Sequence, residues 1–338
     1  MRRSRRLLAG IFVVLTMLCA GTACADEAIW RNHMSTAAEA AKRGDHVAAI
    51  QMYSAAAKQA QAFGDNDARL AATLFGLAQA YRAQYDYAPA EKNYLRALAI
   101  LETQPPFPQG SVPLFERNAS VLNGLADLYR VQGRYRESED YYKRELVIIE
   151  KTQGLASPAV AQALSNTLAA LYRAQGRRDE AESTYKRALA ILEKAVPVAD
   201  PRLGLALIDL AEWYQGQQRY AEAEPYYRRG IPIIEKTFPP AHPRVLNLLQ
   251  DWGMVMQMQG RYAQAEAVYK MMLSVIEKAY GAEHPNVGIA LNNFVGLYEI
   301  QGRQADADAV RKRMLELTNT PLRAQPYVPY QGPKGRKR

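Results

Sequence analysis

Cysteine is nearly absent. The 338-residue chain has two, Cys19 and Cys24, both within its first 25 positions. A mature chain starting after Ala25 would hold no thiol, so it could form no disulfide, thiolate metal site or cysteine nucleophile. Histidine is almost as scarce. Of the four, His242 and His284 each stand directly before a proline, and His33 and His46 lack a partner at a ligand-pair spacing such as His-x-x-x-His, so no metal site is expected. No segment alternates apolar and polar residues like a half-buried strand, and no glycine-rich phosphate loop is present. The sequence offers no catalytic set and implies no cofactor.

Acidic residues are missing from both ends. The first 25 residues have four arginines among the first six, an uncharged run from Leu7 to Ala25 and a small-x-small triplet, Ala23-Cys24-Ala25. This is the pattern of a secretory signal peptide (1–25), which places the mature chain in the periplasm or outside the cell. The alternatives are retention of the segment as a membrane anchor, or lipid attachment at Cys24, either making the protein an accessory subunit of an envelope complex. The last 20 residues hold Arg323, Lys334, Arg336, Lys337 and Arg338 and no acid. With both ends set aside, the formal charge of +9 disappears from the body, so nucleic-acid binding is not expected. The Pro-rich basic tail (319–338) reads as disordered, with a charge that could rest on an anionic surface.

What is plentiful is self-similarity. The stretch LADLYRVQGRYRESEDYY (125–142) recurs as LAALYRAQGRRDEAESTY (168–185). Aligned on QGRY, Gly44, Tyr85, Gly133, Gly176, Gln218, Gly260 and Gly302 are equivalent, defining seven repeats. Eight and four residues before every anchor from Tyr85 onward stand apolar or aromatic residues on one helical face, such as Leu125 and Tyr129. The glycine ends that first helix in a left-handed cap. Five residues on comes Ala49, Ala90, Ser138, Ala181, Ala223, Ala265 or Ala307, where two helices must approach closely. Four further on, Tyr53, Tyr94, Tyr142, Tyr185, Tyr227 and Tyr269 plug the space between hairpins, and Arg311 takes that place in the seventh repeat, as in a solvent-facing terminal cap. Ser157-Pro158, Asp200-Pro201, His242-Pro243 and His284-Pro285 read as helix starts.

This small-large helical hairpin resembles the tetratricopeptide repeat (TPR). The 42-residue spacing, the EAE.YY.R second helices and the HP loops are similar to the kinesin light chain type. The resemblance implies an all-α, right-handed superhelical solenoid of about seven hairpins. Its first repeat (26–64) is divergent and the remainder spans 65–318. It also implies a protein-protein interaction scaffold that binds extended peptides or partner proteins. Two departures stand out. Thr103–Pro113 lengthens one junction and should protrude as a loop, and Gly230 with Pro232 should kink the second helix of the fifth repeat.

In such arrays the first helices line the inner surface. The residues three before each anchor read Arg82, Arg130, Arg173, Gln215, Gln257 and Glu299. Nearby positions hold Asn123, Asn166, Asp209, Gln250, Asp251, Asn292 and Asn293. Asparagine can hold a peptide backbone through donor and acceptor together, and arginine can grip carboxylates in pairs of hydrogen bonds. The expected groove is basic in its N-terminal half and acidic or neutral beyond, suited to an extended ligand with acidic residues at one end. A reading from another class, a hydrolase using Asp209, Glu212 and Asp251, lacks any accompanying nucleophile or metal ligand.

Overall fold

The computed structural model describes residues 26–103 and 112–319. All regular structure among them is helical: α1 (26–42), α2 (His46–Gln61), α3 (Ala68–Ala83), α4 (Tyr87–Glu102), α5 (Val112–Val131), α6 (Tyr135–Gln153), α7 (Pro158–Ala163), a π-helical turn (Leu164–Ala169), α8 (Ala170–Ala174), α9 (Arg178–Ala195), α10 (Pro201–Gly216), α11 (Tyr220–Thr237), α12 (Pro243–Met258), α13 (Tyr262–Tyr280), α14 (Pro285–Ile300) and α15 (Gln304–Asn319). The segment from α7 through α8 is one continuous first helix, so the helices pair into seven hairpins, as the repeat spacing implies. The chain divides within α9 into two compact units, Met1–Ala188 and Leu189–Arg338. The expected signal peptide (1–25), most of the Thr103–Pro113 insertion and residues 320–338 of the basic tail lie outside the described residues.

The repeat grammar has its expected physical form. Every small residue five past an anchor, from Ala49 to Ala307, is fully buried, and the plug tyrosines Tyr53, Tyr94, Tyr142, Tyr185, Tyr227 and Tyr269 are buried. Gly124 shows how close the helices come, since a Cβ there would lie 2.7 Å from the Tyr94 ring. The anchors close their first helices with positive φ, 74° at Gly133 and 73° at Gly260. Tyr85 and Gln218, which replace the glycine, take the same strained conformation at φ 62° and 59°. Restarts are capped as expected. The Asp200 side chain accepts from Arg202 N at 2.9 Å, and Nδ1 of His242 and of His284 accepts from Arg244 N and Asn286 N, each at 3.2 Å.

At Gly230 and Pro232, where a kink is expected, α11 continues as one helix from Tyr220 to Thr237. Gly230 permits a tight helix crossing. Its added Cβ would meet Ile208 at 2.9 Å and Leu207 at 3.1 Å on α10, while one on Gly204 would meet Ile233 at 2.9 Å on α11. Burial across that crossing opposes the cost of the backbone hydrogen bond that proline forfeits.

Successive repeats are fastened by a recurring clasp. The arginine after the anchor lies over the tyrosine four before it, with Cζ 4.1 Å from the Tyr129 centroid for Arg134, 4.3 Å from Tyr172 for Arg177 and 4.2 Å from Tyr298 for Arg303. The same arginine and the tyrosine hydroxyl converge on a glutamate of the preceding repeat. Arg134 reaches Glu91 at 3.1 Å and Tyr129 Oη donates to it at 2.9 Å. Arg177 with Tyr172 does this at Glu139, and Arg303 with Tyr298 at Glu266. In the sixth repeat Met256 replaces the tyrosine, and Arg261 stands 3.8 Å from Glu224. A second ladder joins consecutive second helices through Glu150–Arg187 at 2.7 Å and Glu193–Arg229 at 2.6 Å. These half-exposed pairs each contribute up to about 1 kcal/mol.

Candidate functional site

In the first unit, the three arginines of the expected basic stripe are not equivalent. Arg82, at the end of α3, and Arg130, at the end of α5, both bind Asp127: Arg82 Nη1 donates to Oδ2, and Arg130 donates to Oδ1 from Nη2 at 2.8 Å and Nε at 3.1 Å. Tyr142 Oη donates to the same Oδ1 at 3.1 Å. Burial pushes the Asp127 carboxyl up, but the hydrogen bonds from Arg130 and Arg82 outweigh it and hold its pKa below the ordinary aspartate value. Two of the three positive charges are therefore tied to one carboxylate. Arg173 is exposed on α8 and has no side-chain partner among the described residues.

Asn123 is likewise half committed. Its Nδ2 donates to Glu145 at 3.0 Å (Oε2) and 3.2 Å (Oε1), leaving its carbonyl oxygen for a ligand. Glu145 is 7% exposed. Burial pushes its carboxyl up to about 7, and the Asn123 hydrogen bonds only partly offset this. Both residues line a cavity of about 560 Å³ that α3 bounds through Phe75 and Gln79, α6 through Ile149 and α7 through Ala159. One turn beyond α7, Asn166 sits exposed in the π-helical turn without a partner among the described residues. A π turn is a recurrent feature of functional sites, because its extra residue re-aims the side chains around it.

In the second unit the expected residues face inward contacts more than solvent. Gln215 donates to Asp251 Oδ1 at 3.4 Å and accepts from the Tyr227 hydroxyl. Burial raises the Asp251 carboxyl, and the bond from Gln215 opposes that. Gln257 accepts from Tyr269 Oη at 3.3 Å, and Asn293 Nδ2 lies 3.9 Å from Met272 Sδ. Asp209 and Gln250 are half-buried, while Asn292 is exposed. The seventh repeat restates the Gln–Tyr pair as an ion pair: Arg311 bonds Glu299, twelve residues earlier, and also Asp308 at 2.6 Å. Arg311 is thus a paired substitute for the plug tyrosine as well as a terminal residue. In the fifth, sixth and seventh repeats the position three before the anchor tethers the plug of its own hairpin.

Family and structural comparisons agree with this geometry. A tetratricopeptide repeat model matches residues 32–103, 117–194, 159–236, 202–271 and 244–319. The chain belongs to the tetratricopeptide repeat family. No functionally curated protein matches it. Solved TPR structures share its fold. A kinesin light chain-type protein of nearly identical TPR-like repeats from Podosopora anserina is 21% identical, with 60% of this chain and 96% of that one covered and a TM-score of 0.52. BtubC (BKLC) from P. vanneervenii is 20% identical over 70% of this chain and 92% of that one, with a TM-score of 0.57. The apo form of RapI is 16% identical over 86% and 97%, with a TM-score of 0.54.

Within this TPR frame, sequence reasoning missed the carboxylates that organise the site. Asp127 lies three residues before Arg130, a helical ion-pair spacing that was open to inspection. Glu145 gave no such signal. It sits among charged residues of α6, and only the packing of α3, α5 and α7 around it makes it buried. The TPR units contain no group of three or more potential metal ligands among the described residues. No described helix is long and apolar enough to cross a membrane.

Proposed function

We propose that this TPR chain is an exported, non-catalytic scaffold that holds an extended peptide segment of a partner protein along the first helices of its first unit. The supporting observation is the α7–α8 helix. It presents Asn166 and Arg173, both exposed and without partners among the described residues, on a helix whose Ala159 lines the cavity that Asn123 also lines. Amide and guanidinium groups seven residues apart on one helix suit backbone amides and a carboxylate of an extended chain. Asp127 restricts the expected preference for acidic ligand residues. Of these three arginines, Arg173 is the one without a side-chain partner among the described residues, whereas Arg82 and Arg130 would have to leave a carboxylate that already satisfies them.

The test is capture of partners from a native extract by residues 26–338, in parallel with Arg173→Glu and Asn166→Ala, after circular dichroism shows each folded. A partner retained by the parent and lost by both variants supports the reading. A partner held equally by all three, or none held, contradicts it. Export rests on the first 25 residues, and the mass of the mature protein tests it: loss of 1–25 supports cleavage, an intact N-terminus supports an anchor, and an added lipid on Cys24 supports tethering.

A further inference from the structure

Glu145 is an exception among the sequestered carboxylates of its unit. Asp127 has two arginines, Glu139 has Arg177 and Lys143, and Glu150 has Arg187. Glu145 is more deeply placed, yet its hydrogen bonds come from the neutral Asn123 amide, and no cation lies within ion-pair distance among the described residues. A carboxylate can accept about four hydrogen bonds, and a buried one without a positive partner is costly. Asp127, the nearest charge acting on it, is of the same sign. Glu145 is not sealed, because it lines the 560 Å³ cavity beside Phe75 and Ile149. An apolar wall leading to an unpaired acid has the chemistry to receive a methylene stem with a cationic tip.

We infer that this cavity takes a lysine or arginine side chain of the bound peptide, with its charged tip on Glu145 and its methylenes along Phe75 and Ile149. The inference rests on the peptide-binding reading and sharpens it: the preferred ligand has a cationic residue at the cavity and reaches Arg173 with an acidic one. Phe75 adds an aromatic surface to which a guanidinium or ammonium is attracted. Asn123 has a positioning role, fixing the carboxylate through its amide. Glu145 must be ionised to bind a cation, so with its carboxyl near 7 the affinity rises about tenfold from pH 6 to pH 8. Asp127 on α5 is the other titratable group acting on it, and it stays ionised across that range through Arg82 and Arg130; α3 and α7 contribute Phe75, Gln79 and Ala159 to the cavity, none of which titrates there.

The test titrates residues 26–338 with Nα-acetyl-lysine methylamide and with the neutral isostere Nα-acetyl-norleucine methylamide, following side-chain amide resonances by NMR. Saturable shifts at Asn123 with the lysine probe, at least tenfold weaker with norleucine and in Glu145→Gln, and stronger at pH 8 than at pH 6, are expected. Equal response to the two probes in the unmodified protein overturns the inference, whatever the variant does. Tighter binding of cadaverine than of the lysine probe would overturn the peptide as the source of the cation. If the probes fail to discriminate while the extract partner is still lost on Arg173→Glu, the cation pocket falls and the scaffold stands. If no partner is captured either, both fall.

Discussion

Replacing Glu145 by glutamine should stabilise the protein in a strongly pH-dependent way. The carboxyl has a pKa of about 7 in the fold, against about 4.3 in an unfolded chain, a difference worth roughly 4 kcal/mol once fully expressed. The sign follows from proton binding. Between those values the folded state holds a proton that the unfolded state has released, so stability is highest below about pH 4.3, falls as pH rises through 7, and is flat above about pH 8. Glutamine has no proton to lose and can still accept from the Asn123 amide, so the two proteins should be equally stable near pH 4.3. The variant should then gain progressively, by about 3–4 kcal/mol at pH 8. Urea unfolding of both proteins at half-unit steps from pH 4.5 to 8.5, compared as a difference, isolates this group from every other titration. A difference independent of pH, or a variant less stable than the parent at pH 8, would refute the burial and pairing assigned to Glu145.

The repeat grammar yields three further predictions. Gln218 holds a left-handed conformation at φ 59°, so Gln218→Gly should raise stability by about 1 kcal/mol, read as a higher urea midpoint. Met256→Tyr should restore the clasp of the sixth repeat by placing a hydroxyl on Glu224 and a ring under Arg261. The expected gain is about 1 kcal/mol, seen as slower amide exchange in α12 and α13, and abolished when Glu224→Gln is added. Gly124→Ala puts a Cβ 2.7 Å from the Tyr94 ring and should cost about 1–3 kcal/mol in thermal unfolding, with the loss reduced when Tyr94 is trimmed to Leu.

Most of the fold was legible because it is written seven times. Positive φ at Gly133, burial of Ala181 and Tyr185, and capping by Asp200 and His242 are local consequences of residue type and spacing, and each recurs where the pattern recurs. For the candidate binding residues the pairing of the side chains was not legible. Arg82 and Arg130 stand where expected, but their availability depends on Asp127, and that of Asn123 depends on Glu145, a residue of the paired second helix. The close helix crossing at Gly204 and Gly230 was not legible for a similar reason. The intrinsic preference of proline against a helix interior is local, whereas that crossing joins two helices.

The most direct test of the central claim is a photo-crosslinking amino acid placed at Gln79, exposed at the cavity of the first unit, and in parallel at Lys92, exposed on the second helix of the same hairpin. Mass spectrometry would identify what each position captures from native extract. The account predicts that Gln79 crosslinks to one short, extended segment of a partner protein carrying a lysine or arginine, and that Lys92 does not. Capture of the partner from Lys92 and not from Gln79 would contradict it, placing recognition on the second helices and leaving the first-helix groove without its assigned role.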